Sequence, residues 1–126
     1  MPVRPELQIR LPNSPGAFAA VSRILADERV TIVALSLDAQ GQLRLVVDNH
    51  ARAAAVLRDH HYNVVEAEAI VVNVSGGPEG LAPALAILRD AGVNIEYAYG
   101  SSGRNTTSSI VVGATDPLRA ATASGL

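Results

Sequence analysis

The sequence predicts an α+β protein made of two βαββαβ repeats, each an antiparallel sheet with its helices on one face. Two observations lead there. The first is an internal repeat: NSPGAFAAVSRILADERVTI at 13–32 returns as GGPEGLAPALAILRDAGVNI at 76–95. Pro15/Pro78, Ala19/Ala82, Ile24/Ile87, Leu25/Leu88, Asp27/Asp90, Val30/Val93 and Ile32/Ile95 are identical. Self-similarity at a fixed period marks duplicated structural units. The second is the order in which apolar residues switch between a period of two and a period of 3.6: strand, helix, strand, strand, helix, strand, then a restart. That order is the split βαβ, or ferredoxin-like, arrangement. Its right-handed crossovers put both helices of a unit on one face of the sheet.

Each element has a local reason. Residues 7–11 (LQIRL) alternate apolar and polar, as a half-buried strand does. PNSPG breaks the strand, with Ser14 placed to cap the following helix and Pro15 suited to its first position. Phe18, Val21, Ile24 and Leu25 then recur at helical spacing. Residues 30–37 are β-branched and apolar, DAQGQ turns the chain, and LRLVV at 43–47 returns as a hairpin arm. NHARAAAVLRDHH is Ala-rich and helix-favouring, with Asn49 as its cap, and 62–74 reads as strand throughout.

The second unit opens at 70–74 and continues with a helix ending by Ala91. Strands follow at 93–99 and 109–114, then a short helix in DPLRAATASGL. Pro83 would break a helix begun at Pro78, so this helix starts near Gly80 or is kinked. GSSGRNTTSS is a loop about two residues longer than its counterpart, by the shift in repeat register. The repeats are assigned to 5–68 and 69–126, the second lacking its own last strand. The N-terminal MPVRPELQ, or a neighbouring chain, is expected to cover the edge so left.

Units of about 60 residues bury too little surface to be robust alone, which gives the duplication a physical purpose. IVALSL at 32–37 and AIVVNV at 69–74 are apolar on both alternating faces. A sheet covered by helices on one side needs one such face, so the other is expected to meet a second sheet, from the sister repeat or a partner chain.

Composition excludes several functions. A net charge of −2 supplies no basic stripe for nucleic acid. All basic residues are Arg, so lysine Schiff bases and P-loop lysines are out, and the lack of Cys removes thiolate nucleophiles and Cys-ligated zinc. No apolar run reaches membrane-spanning length and no secretory signal opens the chain, so a cytoplasmic protein without a membrane partner is expected. His60, His61 and His50 read as a solvated helix end with no metal, and the glycines of GSSGRNTTSS do not open a helix as a phosphate loop would. No nucleophile is paired with a base, so neither an enzyme nor a cofactor is expected.

NSPGAF…VTI and GGPEGL…AGVNI, each a Pro-containing turn into an amphipathic helix and a second strand, resemble the ACT domain family in tandem across nearly the whole chain. The resemblance implies a regulatory, allosteric module without catalysis: a homodimer that binds a free amino acid and adjusts a partner enzyme of amino-acid metabolism. It implies a site between modules, with one supplying the turn and the other the start of a second strand. The turn residues are Asn13, Ser14, Pro15, Gly16, Ala17 and Phe18, and the strand residues Thr31, Ile32, Asn94 and Ile95. A helix N-terminus offers free N–H groups to a carboxylate, Gly16 lets a ligand approach closely, and Asn13 can meet either ammonium or carboxylate. Glu79 in the second turn would satisfy its own helix end, which makes the first turn the better candidate. The competing expectation is an assembly subunit of an enzyme that binds no metabolite.

Overall fold

The computed structural model describes residues 2–101 and 107–123, the side chain of Ala123 excepted. Contacts divide the chain into a leading unit, Pro5–Ala67, and a trailing unit made of Met1–Arg4 with Glu68–Leu126. The leading unit contains most of β1 (Val3–Arg10), then α1 (Ala17–Asp27), β2 (Ile32–Leu37), β3 (Gln42–Val47), α2 (His50–Asp59) and the start of β4 (Val64–Val74). The trailing unit continues β4 and adds α3 (Leu81–Asp90), β5 (Ile95–Gly100), β6 (Ser108–Ala114) and α4 (Pro117–Ala123). The phosphate-loop reading of GSSGRNTTSS falls in part, at 102–106, outside the described residues.

In the leading unit the strands lie in the order β2-β3-β1-β4, with β3 antiparallel to both β1 and β2. In the trailing unit the order is β4-β6-β5, with β6 antiparallel to both neighbours. This is the α+β, βαββαβ architecture with helices on one face. In such a unit the first strand lies between the third and the last. Among the described residues no strand follows α4 in the trailing unit, and the segment before Pro5 lies beside β4 instead. Val71 donates its backbone N–H to the Pro2 carbonyl at 2.9 Å, and residues 2–4 belong to this unit.

Each unit has its own core. Leu7, Ile9, Leu43 and Leu45 from the strands meet Val21 and Leu25 of α1 and Leu57 of α2. Ile70, Val72, Ile110 and Val112 meet Leu88 of α3 and Ala120 of α4. On the face away from the helices, Val46 of the leading unit, and Val71 and Val111 of the trailing unit, are buried as well. Glu6 on that side is fully buried and accepts a hydrogen bond from Gln8 Nε2 at 2.9 Å.

A bulge changes the reading of the apolar strands. The register shifts between Ile32 and Ala34 in β2 and, one repeat later, between Ile95 and Tyr97 in β5. An extra residue inverts the alternation that follows it. Leu35 and Leu37 therefore pair with the core residues Leu45 and Leu43, while Ala34 and Ser36 take the opposite face. Tyr97 pairs with Gly113 and Tyr99 with Val111, whereas Ile95 pairs with the core residue Ala114. The tyrosines thus lie on the face opposite Ile95, against the simple alternation of the sequence. Their rings stack at 6.4 Å between centroids.

The two long-helix ends repeat as well. Val30 donates to the Leu25 carbonyl at 2.9 Å, and Val93 to Leu88 at 3.0 Å. The residues just before them, Arg29 and Gly92, are both left-handed, with φ of 58° and 73°. This is the Schellman closure of a helix C-terminus. Asn49 caps α2 as its side chain predicts, accepting the Arg52 N–H at 3.1 Å. Among the described residues no helix is long and apolar enough to cross a membrane.

Candidate functional site

The turn into α1 is set by Pro15 and Gly16. Ala17 donates its N–H to the Ser14 carbonyl at 3.3 Å, and Gly16 has φ 82° and ψ −2°. Those are the third-position angles of a type II turn, which favours Pro before a glycine. Ser14 is therefore not the cap and Pro15 is not in the helix. The turn places Gly16 at the N-cap, from which no side chain bonds the helix. The first turn of α1 has no acid, so its amide end is left to the cavity beside it.

A Cβ on Gly16 would meet nothing within 4 Å, so only the left-handed backbone requires glycine here. Gly16→Ala is expected to cost about 1–2 kcal/mol, read as a lower midpoint of chemical denaturation with unchanged slope.

That cavity, ≈ 320 Å³, is lined by Leu11, Pro12, Asn13, Ser14, Gly16, Ala17, Phe18 and Ala19 on one side. The β2–β3 turn, Leu37 to Gly41, lines the other. The two walls are tied together where Leu11 donates its N–H to the Gly41 carbonyl at 2.7 Å. Asp38, which the sequence reading passed over as a turn residue, brings a carboxylate to this cavity. Its Oδ1 accepts the N–H groups of Gln40 and Gln42, both at 3.0 Å, and its Oδ2 lies 3.8 Å from Arg44 Nη1. The signal for it was present in DAQGQ, since an Asp opening a turn folds its carboxylate over its own backbone. One wall thus offers amide N–H groups and the positive end of a helix, and the other a carboxylate.

Of the predicted residues, Asn13, Ser14, Gly16, Ala17 and Phe18 line this cavity. Pro15 shapes the turn without lining it. Thr31 and Ile32 follow the other end of α1, an 11-residue helix about 16 Å long. There Thr31 exchanges hydrogen bonds with Asp48, giving its N–H to Oδ1 at 3.0 Å and accepting the Asp48 N–H at 3.1 Å. Asn94 lines a separate cavity in the trailing unit, and Ile95 lines neither.

The trailing turn is built differently. α3 begins at Leu81, so Pro83 is its third residue, where a missing N–H has no intrahelical partner to lose. Glu79 stands one residue before the N-cap Gly80, exposed, and no side chain caps α3. Glu79 therefore makes no side-chain cap to this helix end.

No family model matches the chain, and no curated protein matches it. Solved structures do. The protein BT0572 from Bacteroides thetaiotaomicron aligns over 96% of this chain and 85% of its own, with a TM-score of 0.87 and 27% identity. The regulatory subunit of aspartate kinase from Thermus thermophilus, in a ligand-free form, aligns over 98% and 92%, with a TM-score of 0.68 and 19% identity. The regulatory subunit of aspartate kinase from Thermus flavus gives 97%, 87%, 0.67 and 19%. The fold is ACT-like. Within this ACT-like frame, the cavity at the α1 turn brings a helix amide end and the Asp38 carboxylate to one space.

Proposed function

We propose that this chain is a regulatory, non-catalytic module that binds a free amino acid at the α1 turn of its leading unit. The observation that carries the proposal is the cavity with two electrostatic walls. The amide end of α1 at Phe18 and Ala19 receives the ligand carboxylate, and Asp38 receives the ammonium. Its ≈ 320 Å³ is at the small end of the range for ligand sites, which suits a single amino acid. Asn13 bridges the two charged groups. The fold shared with aspartate kinase regulatory subunits supports a regulatory role, with a regulated enzyme as partner.

A homodimer is part of the same reading. Val33, Leu35 and Leu37 on β2 are 54%, 44% and 43% exposed, although β2 stands at the end of the strand order. An apolar edge of this kind invites pairing with a second copy. In such a dimer, strand-start backbone of the second copy, at Thr31–Ile32 or Asn94–Ile95, completes the site. The same edge supports the second reading, an assembly subunit that binds no metabolite.

Asp38→Asn separates them. Its amide oxygen can still accept the Gln40 and Gln42 N–H groups, so the turn is retained while the charge is lost. The wild-type chain is expected to respond to at least one of the twenty amino acids with a melting temperature higher by about 10 °C at a hundredfold Kd. Asp38→Asn should lower the affinity about tenfold or more for that amino acid, and much less for its deaminated acid. No response to any amino acid at millimolar concentration refutes amino-acid sensing and leaves the assembly reading.

A further inference from the structure

In the leading unit, the junction between the end of α1 and the start of α2 is closed by acids. Glu28 is the C-cap of α1, and Arg52 is the third residue of α2. Arg52 Nη2 reaches Glu28 Oε2 at 2.6 Å, and Arg52 Nε donates to the Glu28 carbonyl at 3.1 Å. Beside them, Asp48 Oδ1 takes the Thr31 N–H at 3.0 Å. Two carboxylates thus occupy the space between one arginine and one strand-start amide.

The trailing unit repeats the frame and omits both acids. The C-cap of α3 is Ala91, followed by the same left-handed closure through Gly92 and Val93. Arg119 is the third residue of α4, its N–H accepted by the cap Asp116 at 3.2 Å just as Arg52 is capped by Asn49. The residue before the cap is Thr115 where the leading unit has Asp48, and the strand-start residue is Asn94 where it has Thr31.

The consequence is an open space of ≈ 360 Å³ lined by Ala91, Asn94, Thr115, Asp116 and Arg119 among others. Among the described residues no ion pair or side-chain hydrogen bond engages the Arg119 guanidinium. Asp116 brings one carboxylate to the rim, but its Oδ1 is directed to the α4 backbone.

We propose that the trailing unit binds a small aliphatic carboxylate in this cavity, where Arg119 and the Asn94 amide stand in the places that Arg52 and the Thr31 amide hold against Glu28 and Asp48. The argument is a chemical subtraction. What glutamate has beyond an alanine Cβ is one methylene and a carboxylate, the composition of acetate, and the cavity is roomy enough for longer acids as well. The arginine left without its acid supplies a planar donor fork that matches a carboxylate. This cavity shares no lining residue with the cavity at the α1 turn, where the amino-acid site is proposed.

Acetate alone is the probe, with acetamide as its uncharged counterpart, each titrated into ¹⁵N-labelled full-length protein. Acetate is expected to give saturable shifts at the amides of Ala91–Asn94 and Thr115–Ala120, with a Kd of about 1–10 mM. Acetamide should give none. Arg119→Gln should weaken the response at least about tenfold. Ala91→Glu should abolish it while raising the melting temperature, because the chain then supplies the missing carboxylate itself. The proposal is overturned if acetate gives no saturable shift, if acetamide matches it, or if either substitution leaves the titration unchanged. Shifts confined to residues 11–19 and 37–41 would also overturn it, while supporting the amino-acid site.

Discussion

Gly80→Ala is expected to cost about 3 kcal/mol or more, the largest effect of any single added methyl described here. Gly80 is buried at the N-cap of α3, with its N–H given to the Gly77 carbonyl at 3.2 Å. Its own backbone is right-handed helical, so any residue can adopt its angles. The demand for glycine is steric, because an added Cβ would overlap the Ser75 carbonyl oxygen where the turn folds back on itself. Backbone cannot rotate aside as a side chain tip does, so the turn must open and pull Leu81 from the core it adjoins. Gly16→Ala, with open space around it, should be the milder change despite its left-handed φ. Thermal denaturation of both variants checks the ranking, and a wild-type melting temperature for Gly80→Ala would show that the turn is not packed as described.

Leu25→Ala and Leu88→Ala should each cost about 2–5 kcal/mol, and in different parts of the chain. The two leucines are equivalent across the repeat and both are fully buried. Leu25 packs with Leu7, Leu45 and Leu57, and Leu88 with Ile70, Val72 and Val112. The two buried clusters share no residue. Each substitution leaves a cavity that only its own cluster can relax around. Native-state hydrogen exchange should therefore lose most protection within 5–67 for Leu25→Ala, and within 68–123 for Leu88→Ala. Equal loss of protection throughout in both variants would mean that the units open only together. Losses of this size matter because each unit is small and stability is marginal to begin with.

The strand and helix order was legible because each element carries a period that burial enforces. Asn49 was legible as a cap because its side chain acts on a backbone three residues away. Pro83 correctly placed the start of α3, since proline forbids the alternatives. The misreadings have a common origin. Ser14 and Pro15 fit a helix start by type, but a type II turn through Gly16 satisfies the same residues one step earlier. Simple alternation would put Tyr97 and Tyr99 on the face of Ile95, and one bulged residue reverses it. Asp38 went unnoticed as a site residue because its local role in the turn is complete without a ligand.

The sequence by itself determined that the chain is a duplicated βαββαβ protein, where its helices and strands lie, and that Phe18, Val21, Ile24 and Leu25 form one apolar stripe on the first helix. These follow from periodicity and from residues whose backbone preferences are local. Only the tertiary structure decided that residues 2–4 belong to the trailing unit, that Asp38 faces the α1 turn, and that Thr31 lies a helix length away from Gly16. It also decided that Arg119 lines an open space where its sister Arg52 is engaged by Glu28. Those relations depend on which distant segments share a sheet edge or a helix end, and backbone hydrogen bonding between strands carries no side-chain signature by which a sequence could announce its partner.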